Sequence, residues 1–184
     1  MPTWSWIVIV VAVIVIVAVI VTRVAHQRRT AALRDRFGEE YERTVEHAGG
    51  IRAAEHELLE RERLHDGLEL HPLSEVTRSR YLARWSEIQA TFVDEPKEAV
   101  EEADGLVQRV MHERGYPDDV GLDESIAVVS VDHPDTVQRY REAHGIALRA
   151  RVDDASTEDL RQAMTHYRAL FDELLTSSSV SGVR

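Results

Sequence analysis

The chain has 184 residues, no cysteine and a formal net charge of −11. That length allows one domain of moderate size. The absence of cysteine excludes disulfides, thiolate nucleophiles and cysteine-ligated zinc, and the acidity argues against nucleic acid, whose phosphates repel such a surface.

The first element is a run without charge from Pro2 to Thr22, in which every residue from Ile7 to Val21 is Ile, Val or Ala. A helix rising 1.5 Å per residue needs about 20 such residues to cross the hydrocarbon layer. Residues 4–22 are therefore read as a transmembrane helix, because a lone apolar segment satisfies its backbone in lipid only as a helix. A cleaved signal peptide is the competing reading, but no basic residue precedes the run and Arg23 stands where small cleavage-site residues belong. Arg23, Arg28, Arg29, Arg34 and Arg36 follow the span against one acidic residue, Asp35, so residues 37–184 carry −15. The excess of arginine predicts an N-terminus outside the cell membrane and a cytoplasmic C-terminal domain. Trp4 and Trp6 are assigned to the outer interface, and Arg23, Arg28 and Arg29 to the inner one, within reach of membrane lipid headgroups.

Residues 23–72 read as a basic, then charged, helical linker. The membrane helix continues past Arg23 until Gly38; Glu39–Ala48 forms a short helix with Tyr41 and Val45 on one side; Gly49-Gly50 breaks it; and a helix from Ile51 to His65 carries a thin stripe of Ile51, Ala54 and Leu58. Such a stripe is solvated or pairs with one partner, a second copy of the chain included, so self-association stays open.

Residues 73–175 read as the folded domain. Ser74 is an N-cap, and Tyr81, Trp85, Ile88 and Phe92 recur at helical spacing with Leu82 beside them. Asp94 and Pro96 open a helix whose stripe includes Val107, and Gly115 with Pro117 ends it. Residues 125–131, SIAVVSV, favour a strand by composition; no second strand-like run exists to pair with them, so a short helix is expected. A helix after Pro134 places Val137, Tyr140, His144, Ala147 and Leu148 inward. A last helix, begun by Ser156 and Asp159 as a capping box, places Leu160, Tyr167, Leu170, Phe171 and Leu174 inward. The expected architecture is all-α: an N-terminal transmembrane helix, an antiparallel helical bundle, and a disordered tail over residues 176–184.

Chemistry is sparse. Nine histidines raise a metal site, yet there is no HExxH, and a pair such as His56 with Glu60 is common by chance on a highly charged helix. There is no GxSxG, no phosphate-binding glycine loop and no nucleotide fingerprint. No cofactor, metal or catalytic residue is assigned. His144 and Tyr140, on one apolar stripe, are candidate ligand contacts; the alternative is a core histidine with an internal hydrogen-bond partner.

The blocks RDRFGEEYERTV, YLARWSEIQATFVDEPKEAVEEADGLVQRVMHERGYP, SVDHP, YREAHGIALRA and TEDLRQAMTHYRALFDELL cover most of residues 31–175. They resemble a family of uncharacterised actinobacterial single-pass membrane proteins with a small helical cytoplasmic domain. The resemblance implies the same layout and a helix rather than a strand over 123–131. It supplies no catalytic residue, and secretion of some relatives keeps anchor cleavage as an alternative. The function expected is that of a membrane-tethered adaptor that binds another protein, without catalysis; the alternative is a small-ligand or pH-sensing bundle, and an enzyme of unnamed class is the third.

Overall fold

The computed structural model describes residues 3–118 and 121–176; of residues 3–10 it describes the backbone and the Trp4 side chain. The assignments of Trp6 to an interface and of residues 177–184 to a disordered tail lie outside the described residues. The described chain is all-helical, with helices α1 (Thr3–Phe37), α2 (Glu39–Ala48), α3 (Ile51–Asp66), α4 (Glu75–Asp94), α5 (Pro96–Glu113), α6 (Leu122–Val129), α7 (Pro134–Arg151) and α8 (Thr157–Thr176). Residues 125–131 are thus helical at their start, and α6 begins three residues earlier than the sequence suggests.

Local chemistry sets most boundaries. The Ser74 hydroxyl accepts from the Thr77 N–H, capping α4. Pro96 and Pro134 occupy the first turns of α5 and α7, where a missing N–H costs nothing. Ser156 and Asp159 exchange side chain-to-backbone hydrogen bonds at 2.8 and 3.1 Å, a reciprocal cap with Asp in the usual Glu position. Gly115 has φ +95°, and a Cβ there would lie 2.6 Å from the Glu69 carbonyl. Only glycine lets the chain turn there against the 67–74 connector.

The main core is built by α4, α5, α7 and α8, with α5 packed on the other three and α7 against α8. Tyr81, Trp85, Ile88, Val107, Tyr140, Leu160, Tyr167, Leu170, Phe171 and Leu174 are all buried. Trp85 stacks on Phe171 at 4.9 Å, and Tyr140 meets Tyr167 edge-on at 5.5 Å. Phe92 is only partly buried at the rim, Leu82 is exposed, and Leu148 faces solvent one position past the buried Ala147.

Part of the stretch read as a linker, residues 23–72, is packed. Leu33 and Phe37 at the end of α1, Tyr41 of α2, Leu58 of α3 and Val131 form a second buried cluster, with Val45 and Leu59 beside it. The thin stripe on α3 is covered from within the same chain, by α2 and α6, while Ile51 at its start stays exposed. The sequence hides this because each element contributes only one or two apolar residues to the cluster.

The part of α1 from Val11 to Val24 is exposed throughout, and α1 is the one described helix long and apolar enough to cross a membrane. It runs without interruption from that stretch into the second cluster. Two truncations separate the cores. Trp85→Ala or Phe171→Ala should cost about 3–5 kcal/mol, and Phe37→Ala a similar amount if the second cluster belongs to the same cooperative unit. Urea unfolding in detergent measures this; an unchanged midpoint for Phe37→Ala would detach α1–α3 from the domain.

Candidate functional site

An open cleft of about 480 Å³ lies between α2, α3, α6 and α7. Its floor is built around a carboxylate. Glu40 on α2 has no exposed side-chain surface and accepts hydrogen bonds from Arg61 of α3, at 2.8 Å, and from Arg141 of α7. Arg43, one turn on, stands 3.6 Å away. Burial lowers the Arg141 pKa, and the Glu40 charge opposes that. Each guanidinium carries five donors, so Arg141 and Arg61 can hold Glu40 and still present N–H groups to the cleft.

The lining also carries carboxylates. Asp123 and Glu124 sit in the first turn of α6, where negative charge complements the helix dipole, and on the α3 side Glu57, ion-paired with Arg61, stands beside Glu60. Leu64, Ala127 and Val128 supply a small apolar strip. Most of the lining residues are charged, with both signs present.

The residues singled out from the sequence are elsewhere. The Tyr140 hydroxyl donates to Asp104 at 2.7 Å, His144 Nδ1 lies 3.3 Å from the same carboxylate, and Gln108 donates to it at 3.0 Å. Burial pushes Asp104 upward, but the hydrogen bonds from His144 and Tyr140 outweigh it and hold the carboxyl below its ordinary value. The Asp104 hydrogen bond raises His144, and burial raises Tyr140. The two candidate ligand contacts are internally bonded, and neither lines the cleft. Asp104 could not be found from sequence, because a carboxylate on the charged helix α5 reads as surface.

A second histidine–aspartate pair joins the two cores. His65 at the end of α3 bonds Asp132, in the turn between α6 and α7, at 2.7 Å, and Tyr116 donates to the same oxygen at 3.2 Å. His65 is raised, chiefly by that hydrogen bond. Asp132 is pushed up by burial but ends lowered, because His65 is hydrogen-bonded to it and positively charged. Among the described residues no group of three or more His, Cys, Asp or Glu is arranged to hold a metal ion.

The fold and site define a class only: an all-helical domain on a single long apolar N-terminal helix, with a two-signed cleft. No family model, curated protein or solved structure matches the chain.

Two outcomes test the electrostatics. Glu40→Ala leaves Arg61 and Arg141 facing each other without their shared carboxylate, and should cost about 3–5 kcal/mol by urea unfolding, as removal of one partner of a buried pair does. The histidine pairs set a pH dependence. Protonated His65 is favoured in the folded state, so its stabilisation is complete below the ordinary 6.5 and is lost as pH rises through the raised value. Asp132 behaves oppositely: its contribution is present above 3.8 and lost as pH falls through the lowered value. The melting temperature should therefore fall as pH rises from about 6 to about 9, and His65→Gln should flatten that fall. Equal slopes for parent and variant would remove the pair from the account.

Proposed function

We propose that the chain is a membrane-tethered, non-catalytic protein-interaction module, held in the cell membrane by residues 4–22 with its N-terminus outside and its helical domain in the cytoplasm. The length and composition of α1 support the tether, and the arginines after Thr22 support the orientation. The observation that carries the interaction reading is the cleft. Arginines held on Glu40 share the lining of one open cleft with Asp123 and Glu124, and charges of both signs in one site are what steers and registers a protein partner. The partner segment carries an acidic group toward Arg43 and Arg141 and a basic group toward Asp123 and Glu124. Tethering raises the effective concentration of the module for partners at the membrane.

A small-ligand or pH-sensing bundle was the other reading. His144 and Tyr140 already hold Asp104, which leaves that reading with less support.

The test is capture of the full-length protein from native membranes after mild crosslinking, beside the Asp123→Lys/Glu124→Lys variant. Both substituted residues are exposed, so the fold should survive, which circular dichroism checks. A stoichiometric partner held by the parent and lost from the variant is the expected result. Absence of any partner, or a partner kept by the variant, would sink the cleft-mediated reading.

A further inference from the structure

The register of the first three helices places the α2–α3 turn close to the membrane span. His26 and Thr30 of α1 both reach Glu55 of α3, and Arg36 reaches Glu62, so α1 and α3 run in the same direction. Arg34 of α1 meets Glu42 and the Tyr41 ring of α2, so α2 runs back toward the span. Counting 1.5 Å per residue from these pairs puts Gly49, Gly50 and Ile51 level with about residues 24–27 of α1. That is about 3–8 Å beyond Thr22, and the headgroup layer is about 5–8 Å deep on each side of the hydrocarbon.

The side chains at that level are the ones a bilayer surface takes. Ile51 is 48% exposed although Ala54 and Leu58 on the same helix are fully buried. Gly49, at φ +73°, lets α2 end in a tight reversal with no side chain projecting from the turn. The arginines divide by height. Arg34, Arg36, Arg43, Arg61 and Arg63, farther from the span, each lie within 4 Å of a carboxylate. Arg23, Arg28, Arg29 and Arg52 are exposed and have no carboxylate partner among the described residues, and all four fall at the level of the turn. Glu46 and Glu57, the exposed carboxylates nearest this level, lie level with about residue 30 of α1, just beyond Arg29.

We propose that the α2–α3 turn is a second membrane contact: Ile51 enters the headgroup boundary, and Arg52 joins Arg23, Arg28 and Arg29 on the phosphates of anionic lipids. The inference rests on the membrane-anchoring reading above. The domain is then held to the bilayer at two points, the span and the turn. With two contacts the domain keeps one face toward the membrane, although its overall charge is repelled by anionic lipid.

The chain lacks cysteine, so single cysteines can be spin-labelled without background. Full-length Ile51→Cys, Val17→Cys and Val93→Cys are reconstituted in phosphatidylcholine bilayers with and without phosphatidylglycerol. Accessibility to oxygen and to a water-soluble nickel chelate reports depth. The expected result is Val17 in hydrocarbon, Val93 in water, and Ile51 protected from nickel at interfacial depth, with protection increased by phosphatidylglycerol and that increase lost in Ile51→Cys/Arg52→Gln. Val17 in lipid with Ile51 as accessible to nickel as Val93 would overturn the inference and leave the anchor standing. Protection of Ile51 that phosphatidylglycerol and Arg52→Gln leave unchanged would overturn the phosphate contact. Val17 in water would overturn both readings.

Discussion

The packing of Leu33 and Phe37 against Tyr41, Leu58 and Val131 is the constraint on which the rest depends. Because α1 is one uninterrupted helix, whatever grips its last turn also sets the direction of its apolar stretch. Without this cluster the domain would hang from a flexible connector. With it, the heights of α2 and α3 along α1 become defined quantities. The cluster reaches Val131, beside the turn into α7, and so couples the α1–α3 layer to the bundle of α4, α5, α7 and α8.

Carboxylates, buried at Glu40, Glu55 and Asp104 and partly exposed at Asp132, then fix how these layers sit. Glu40 ties α2 to α3 and α7; Glu55 ties α3 to Thr30 of α1 and lies 3.4 Å from the Tyr41 hydroxyl of α2; Asp132 ties the α6–α7 turn to α3; Asp104 ties α5 to α7. The three buried acids would each be strongly unfavourable if buried alone, and each is compensated by partners from other helices. That requirement makes the arrangement specific, since a register slip in any one helix would leave a charge stranded. Apolar contacts supply the driving force, while these pairs select among similar packings.

The cleft follows from the same arrangement. It lies where α2 and α3 meet α6 and α7 without filling the space between them, and its arginines stay there because Glu40 holds two of them from below. A structural ion cluster therefore doubles as the basic wall of an open site. The Asp123 and Glu124 carboxylates in its lining follow from the short helix α6, whose first turn favours carboxylates on its own account. The charge pattern thus arises from features that also stabilise the fold.

Much of the fold was legible in the sequence because it is written in local chemistry. The uncharged run from Pro2 to Thr22, the caps at Ser74 and Ser156, the stops at Gly38 and Gly115, and the broad stripe from Leu160 to Leu175 each depend on residues a few positions apart. What only the tertiary structure decided is which weak stripes find partners within the chain. Leu33, Phe37, Tyr41 and Leu58 are too few per helix to announce a core, and they become one only when three helices converge on Val131. Glu40, Asp104 and Asp132 looked like solvated acids, and His144 like a candidate ligand contact, for the same reason. Periodicity reports which face of a helix is apolar, but the partner that compensates a buried charge comes from tens of residues away.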